Sequence, residues 1–178
     1  KLSKLPITLF CVHGNHEERP FNIQTYKIRE WNGGKVYYEE EFPNLLFALD
    51  GSIYNINGKS VFVIGGAYSV DKEYRILNGW QWFKDEQPSK EILKYVEKVI
   101  EKNRDFNIVL SHTCPINTEP RHMFLPFIDQ SKVDKMTERA LQRVADWIKF
   151  DDWYFGHYHG DWDNGKYHML FESYVEVR

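Results

Sequence analysis

The sequence predicts an α/β fold, and three observations support this prediction. Short runs rich in β-branched and aromatic residues, bounded by turn residues, predict strands, and two amphipathic segments predict helices. Each predicted helix ends shortly before a buried-looking strand, a pattern typical of an α-to-β crossover. The chain has 178 residues, of which 42% are apolar and 16% aromatic, so it can bury a core and does not have a disordered composition. We expect one domain over residues 1–178.

The predicted strands occupy residues 7–12, 36–39, 45–49, 52–56, 60–64, 107–111, 153–155, 167–171 and 174–177. Asn57-Gly58 lies between two of them and predicts a hairpin, and Asn164-Gly165 repeats this signal before Tyr167. The run of residues 61–64 is apolar without alternation, so we expect both of its faces to be covered.

Two segments predict helices. Ser89 can cap a helix with one apolar stripe, formed by Ile92, Leu93, Val96, Val99 and Ile100. A second stripe consists of Val133, Met136, Ala140, Leu141, Val144 and Ile148. Two long connections, residues 67–87 and 113–132, contain aromatic residues, which argues against disorder. Connections of this length in a compact domain usually carry function.

Composition excludes several classes of function. The formal net charge is −3, so no general positive field favours nucleic acid or anionic lipid, although a small nucleotide or a phosphodiester stays open as a substrate. No apolar run is long enough to span a membrane. Cys11 and Cys114 have no CxxC spacing, which predicts a reducing compartment. Because no signal peptide is visible either, we expect a cytoplasmic protein.

Histidines follow three predicted strands at the point where each strand ends. His13-Gly14-Asn15-His16-Glu17 follows the first, Ser111-His112 ends another, and Gly156-His157-Tyr158-His159-Gly160 follows a third. Carboxyl ends of strands in open α/β sheets are where ligands bind. Imidazole and amide groups suit Mn, Fe, Zn, Co or Ni, and an extended His-x-His places both rings on one side.

Each of these motifs alone has a plain structural interpretation. A lone histidine near a strand end is most often structural or solvated, which we expect for His168 and mostly for His122. Gly14-Asn15-His16-Glu17 alone could be a turn before a helix. The three motifs together favour a metal site.

At these residues the sequence resembles the calcineurin-like metallophosphoesterase family. The matching motifs are Gly14-Asn15-His16-Glu17, Ser111-His112-Thr113-Cys114-Pro115 and Gly156-His157-Tyr158-His159-Gly160, in the family's order. The resemblance implies an αββα sandwich and a hydrolase, a phosphatase or phosphodiesterase that uses hydroxide bound to two divalent metal ions, manganese among them.

The resemblance also implies a role for each matching side chain. Asn15, His112 and His157 would hold one metal, and His159 would belong to the other. His16 would be the catalytic residue that hydrogen-bonds the phosphate or protonates the leaving oxygen. A protonated His16 could act as a general acid.

The chain departs from the family pattern at its start. The family's Asp-x-His and Gly-Asp motifs, which include the bridging carboxylate, precede the Gly-Asn-His-Glu motif. No aspartate here has a histidine two residues later, and the only Gly-Asp pair, Gly160-Asp161, follows the last motif. We therefore expect a partial domain that lacks its N-terminal strand-helix units, through an expressed fragment, a misassigned gene start or natural loss.

Two expectations follow from this departure. The remaining ligands are neutral, so we expect one metal ion or none in this chain and little or no turnover. An incomplete sheet would expose an edge, which predicts association into a homo-oligomer.

The long connections supply further candidates for substrate binding. Arg75 could contact a phosphate or simply pair with Asp71, one helical turn away. Arg121 and His122 could also reach the cleft. Trp80, Trp82 and Phe83 could line a pocket, but we favour a role in fixing their loop to the sheet.

Two alternatives to an enzyme stay open. The chain could be a metal-binding or interaction module on the same fold that has lost hydrolysis. It could also be a structural zinc protein that uses His157 and His159, which would unfold on chelation.

Overall fold

The computed structural model describes residues 4–177, and two β-sheets dominate it. Four strands form the first sheet, in the spatial order β1-β4-β3-β2: β1 (Leu9–Cys11), β2 (Lys27–Trp31), β3 (Gly34–Glu39) and β4 (Phe42–Ala48). Strand β1 lies at the edge and runs parallel to β4, whereas the other pairs are antiparallel.

Six strands form the second sheet: β5 (Ile53–Ile56), β6 (Lys59–Ile64), β7 (Asp105–Ser111), β8 (Lys149–Phe155), β9 (Trp162–Asn164) and β10 (Tyr167–Met169). Their spatial order is β5-β6-β7-β8-β10-β9. The central strands β6, β7, β8 and β10 are parallel, and the two hairpin partners at the edges are antiparallel. The carboxyl ends of β6, β7 and β8 therefore meet at one edge of this sheet.

Three α-helices connect these strands: α1 (Lys72–Leu77), α2 (Lys90–Lys102) and α3 (Met136–Trp147). The Ser89 hydroxyl accepts a hydrogen bond from the Ile92 amide, so the predicted cap of α2 is confirmed. Apolar side chains of α2 and α3, such as Val96 and Leu141, pack against Phe62 and Trp153 of the second sheet. Helix α2 links β6 to β7 and helix α3 links β7 to β8, which are the crossovers that the sequence predicted.

The two sheets pack face to face around a second apolar cluster. Val36 and Leu46 of the first sheet meet Tyr54, Val61 and Val63 of the second. The layers therefore run from the first sheet through the second to α2 and α3. This arrangement confirms the predicted metallophosphoesterase-like α/β fold, and of the predicted αββα layers the described residues form both sheets and the helix layer on the second sheet. Residues 61–64 are buried, as their unbroken apolar run predicted.

Four elements differ from the prediction. Residues 174–177 form no strand, and Val175 and Val177 line a cavity together with Ile108 and Leu110. Strands β2 and β9 were not predicted, because their exposed charged or polar residues interrupt the alternation of apolar and polar residues that predicts a strand. Helix α1 was not predicted because none of its residues is buried. No helix within residues 4–177 has the length and apolar character needed to cross a membrane.

Candidate functional site

The ends of three strands bring Asn15, His112 and His157 together. Asn15 follows β1, His112 follows β7, and His157 follows β8. The Asn15 Oδ1 and His112 Nε2 atoms are 2.8 Å apart. The His112 and His157 rings lie edge to face with their centroids 5.1 Å apart. Backbone hydrogen bonding holds the strand ends in place, because the Gly156 amide donates to the His112 carbonyl at 3.0 Å.

The Asn15 amide is oriented by Ser69. The Asn15 Nδ2 group donates to the Ser69 hydroxyl at 2.9 Å, and this contact is buried. The amide oxygen therefore faces His112. Ser69 is itself held by Glu86, whose Oε1 accepts from the Ser69 amide at 3.1 Å and whose Oε2 accepts from Trp82 at 2.9 Å. The Trp82 contact lies within the 67–87 connection, so the predicted role of Trp80, Trp82 and Phe83 in fixing this connection to the sheet stays a prediction. The sequence prediction missed the positioning role of Ser69.

The His-x-His segment is not extended, and this prediction was wrong. His157 has φ 68° and His159 has φ 54°, in the left-handed region that non-glycine residues rarely adopt. The Tyr158 amide donates to the Gly156 carbonyl, so the chain turns tightly at this point. The two rings nevertheless line the same cavity. The His159 ring stacks on Phe171 with a centroid distance of 5.0 Å. Such strain is common at functional sites.

Burial keeps the site histidines neutral. Burial lowers the pKa of His112 to about 4, with a smaller contribution from His16 and His159. Burial likewise holds the pKa of His157 well below its usual range, and the neighbouring His112 adds to this effect. A neutral imidazole has a free lone pair on one nitrogen, which is the form that binds a metal ion.

His16 lies at the exposed mouth of the site beside an ion pair. The Arg75 Nε donates to the Asp71 carboxylate at 2.7 Å. His16 Nε2 is 3.4 Å from Arg75 Nη2 and 4.0 Å from Asp71 Oδ1. Burial and then Arg75 lower the pKa of His16, whereas Asp71 and Glu86 oppose this shift. Arg75 therefore pairs with Asp71 and also lies near His16, whereas its contact with a phosphate stays a prediction.

A cavity of about 480 Å³ opens from these side chains. Asn15, His16, His157 and His159 line one end of it. The remainder of the wall comes from residues 68–71, residues 123–135, Glu138 and Tyr158. The long connections identified in the sequence therefore form the walls of the cleft.

Two of the predicted substrate contacts lie outside this cavity lining. Arg121 is largely exposed and lies 4.0 Å from Glu119. The His122 ring packs near Trp162 at a centroid distance of 5.7 Å. His168 has the structural role that we expected, because its ring nitrogens contact Asp163 at 2.6 Å and Asp152 at 3.0 Å.

His13 is a buried histidine whose surroundings the sequence did not predict. It is 3% exposed, and neither ring nitrogen has a hydrogen-bond partner among the described residues. Burial is the main cause that lowers its pKa, to about 3, so the ring is neutral. Glu17 lies 3.8 Å from its Nδ1 atom and accepts from the Gly14 amide at 2.5 Å. Glu17 therefore closes the loop after β1.

Two of the candidate donor atoms have the spacing that binding to a single divalent metal ion requires. Ligand atoms in neighbouring positions on a metal, each bound at about 2.1 Å, lie roughly 3 Å apart. The 2.8 Å separation between Asn15 Oδ1 and His112 Nε2 has this size, and His157 stands beside them. Within residues 4–177, no three His, Cys, Asp or Glu side chains form a group that could hold a metal. The cluster thus needs its asparagine, and His159 has no companion ligand for a second ion.

Comparisons with known proteins complete this description. A family model described as calcineurin-like phosphoesterase matches residues 1–161, which include all three histidine motifs. Searches of curated proteins and of solved structures found no match.

Proposed function

Since this chain belongs to the calcineurin-like phosphoesterase family, whose members use divalent metals to hydrolyse phosphate esters, we propose that its cleft hydrolyses a phosphate mono- or diester. The observation that carries this proposal is the convergence of Asn15, His112 and His157 at the ends of β1, β7 and β8. The contact between Asn15 and Ser69 supports it, because that contact turns the amide oxygen toward the ligand position.

In this proposal Asn15, His112 and His157 hold one metal ion, and His159, which the family pattern assigns to a second metal position, holds none by itself. A bound divalent ion would polarise the phosphoryl oxygens and lower the pKa of a water molecule beside them. The metal identity follows only from ligand type, so manganese is one of several nitrogen- and oxygen-preferring ions that fit.

His16 is proposed as the proton donor to the leaving oxygen. It stands at the exposed mouth of the cavity, where it can reach a substrate oxygen, and Asp71 lies near enough to orient its ring. Arg75 is proposed to bind a phosphate oxygen, since its guanidinium lies beside His16 and can form paired hydrogen bonds. Arg121 and His122 could contact only a substrate that extends beyond the cavity.

The charges of this site predict weak catalysis. Asn15, His112, His157 and His159 are neutral ligands, and nothing in this set offsets the charge of two divalent ions. Because unbalanced cations repel each other, we propose that the chain binds one ion and turns over slowly.

An assay of phosphate-ester hydrolysis tests this function. We expect slow hydrolysis of p-nitrophenyl phosphate or its bis-ester that depends on added Mn²⁺ or Ni²⁺ and is lost in His112→Ala. The matched control is His168→Gln, which alters a histidine that contacts Asp152 and Asp163 and does not line the cavity. Rapid turnover by the wild-type chain would contradict the predicted impairment, and hydrolysis that His112→Ala leaves intact would refute the site.

The alternative is a metal-binding or interaction module without hydrolysis. The neutral donor set favours this alternative, because neutral ligands can bind a metal ion without supporting rapid hydrolysis. Metal binding with no release of p-nitrophenol above the metal blank would support this alternative. A cytoplasmic location belongs to either proposal.

A further inference from the structure

The turn that carries His157 and His159, which we call the His-x-His turn, is strained. Both residues have a positive φ although neither is glycine. Within the turn, the Tyr158 amide donates to the Gly156 carbonyl at 2.9 Å. Such conformations cost free energy and persist only where the surrounding structure fixes them. The contacts that fix this turn therefore determine where the two imidazole rings lie.

Tyr158 connects the His-x-His turn to other segments of the chain. Its ring stacks on Phe124 at a centroid distance of 5.8 Å and meets Phe155 edge to face at 6.4 Å. Its hydroxyl oxygen lies 3.0 Å from the Thr113 hydroxyl oxygen. The Thr113 hydroxyl donates to Glu138 Oε1, also at 3.0 Å. Because a hydroxyl group has a single hydrogen, Tyr158 donates to Thr113, and the series of hydrogen bonds ends at the Glu138 carboxyl group.

This series of hydrogen bonds joins three segments that build the site. Tyr158 lies between the two strained histidines. Thr113 directly follows His112 in sequence. Glu138 belongs to α3, the helix that links β7 to β8. Thr113 is fully buried and Glu138 is only 3% exposed, so water cannot easily replace their contact. Buried hydrogen bonds of this kind are costly to break, and they can therefore hold a strained turn.

The burial of Glu138 is unusual for its place in α3. Leu141 and Val144 lie on the same side of the helix and pack in the apolar core. A carboxyl group costs free energy when it leaves water, and Lys135, three residues earlier, pairs with Glu119 at 2.7 Å. The hydrogen bond from the Thr113 hydroxyl offsets part of this cost, and an apolar residue at position 138 could not accept it.

We propose that Tyr158, Thr113 and Glu138 act as one positioning group for the His-x-His turn, and so set where its two imidazole rings lie. The inference rests on the proposed function, because it assigns roles at the same metal site. Thr113→Val is the test substitution, since valine has nearly the shape of threonine and lacks the hydroxyl. Thr113→Ser keeps the hydroxyl and should restore the wild-type result.

Thr137→Val is the matched control, because it alters the residue next to Glu138 on α3. Thr137 is also fully buried, and its hydroxyl donates to Gln87 Oε1 at 2.9 Å. Both valine variants therefore lose one buried hydroxyl, but only Thr113→Val removes a contact of the His-x-His turn. Tyr158→Phe removes the hydroxyl at the other end of that contact, and it tests the inference again if Thr113→Val fails to fold.

Amide hydrogen exchange measures the turn in the metal-free chain. We expect the Tyr158 amide to exchange about tenfold faster in Thr113→Val and in Tyr158→Phe, because a hydrogen bond that holds the turn is lost. In Thr113→Ser and Thr137→Val this amide should exchange as in the wild type. Unchanged exchange in Thr113→Val and Tyr158→Phe, or an equal increase in Thr137→Val, would overturn the inference.

Calorimetric titration with Mn²⁺ measures the consequence for the site. Residues that orient a metal ligand change metal affinity by about 10–100-fold when they are replaced, so Thr113→Val should weaken Mn²⁺ binding by about tenfold or more. Thr137→Val should bind Mn²⁺ as the wild type does. Equal affinity of the wild type and Thr113→Val would also overturn the inference. A wild type that binds no Mn²⁺ would refute the proposed metal site, and exchange of the Tyr158 amide would still decide the role of the positioning group.

Discussion

The hydrogen bond from Asn15 to Ser69 provides a sharp test of how the site is built. Replacing Ser69 by alanine removes the oxygen that accepts from Asn15 Nδ2 at 2.9 Å. Both residues are buried, with Ser69 only 1% exposed, so water cannot replace the hydroxyl without rearrangement. The amide then loses the contact that turns its Oδ1 atom toward His112.

The size of the effect follows from the buried contact. The Asn15 Nδ2 group would keep only its long contact with His16 Nε2 at 3.4 Å, and a buried donor without a good partner costs about 1–3 kcal/mol. Residues that orient a metal ligand typically change metal affinity by about 10–100-fold when they are replaced. We therefore expect Ser69→Ala to weaken Mn²⁺ binding by about tenfold or more and to lower the free energy of unfolding by about 1–2 kcal/mol.

Calorimetric titration with Mn²⁺ measures the affinity, and urea denaturation measures the stability. Ser89→Ala is the matched control, because its hydroxyl caps α2 far from the histidines and its loss costs about 1 kcal/mol of stability. This control should bind Mn²⁺ as the wild type does. Equal Mn²⁺ affinity in Ser69→Ala and the wild type would refute the positioning role of Ser69.

Three further predictions concern stability. Burial lowers the pKa of His168, but the hydrogen bonds with Asp163 and Asp152 outweigh burial and raise it above its usual value. Protonated His168 therefore contributes at most about 1 kcal/mol to the free energy of unfolding, because both carboxylates are partly exposed. This contribution is complete below about pH 6.5 and is lost as the pH rises through the raised pKa of His168. The stability advantage of the wild type over His168→Gln in urea should shrink over this range, and a constant difference would contradict the ion pairs. Gly66→Ala should lower the free energy of unfolding by about 3 kcal/mol, because Gly66 has φ +87° and a Cβ atom would strike the Glu86 carbonyl. The control Gly58→Ala should lower it by only about 1 kcal/mol, because Gly58 has φ +79° but open space around it. Equal costs would refute the close contact at Gly66. Removal of metal with EDTA should leave the circular dichroism spectrum unchanged, because two apolar clusters hold the sheets together; unfolding would instead favour a structural zinc site.

The sequence predicted the parts of the fold that local patterns encode. The cap at Ser89 and the apolar run of residues 61–64 depend on neighbouring residues, and both appear as predicted. The histidine motifs were placed at strand ends for the same reason. The topology then brings two of them together, because β7 and β8 are parallel neighbours, whereas the motif with Asn15 follows β1 of the other sheet.

The remaining parts depend on contacts between distant segments. Ser69 meets Asn15 across 54 positions in sequence, and no local pattern marks it as a positioning residue. The turn at His157 and His159 has no glycine at the two strained positions, so its left-handed backbone was not predictable from composition. Glu138 lies in an ordinary helix pattern, and its burial beside the Thr113 hydroxyl depends on a contact between segments that are distant in sequence.

Metal stoichiometry measures the central claim most directly, namely that Asn15, His112 and His157 hold one divalent ion together. The chain would be loaded with Mn²⁺, desalted and analysed for metal by mass spectrometry, beside His112→Ala and the control His168→Gln. We predict a single ion per wild-type and control chain and none in His112→Ala. No retained ion in the wild type, or an ion that His112→Ala still holds, would contradict the claim.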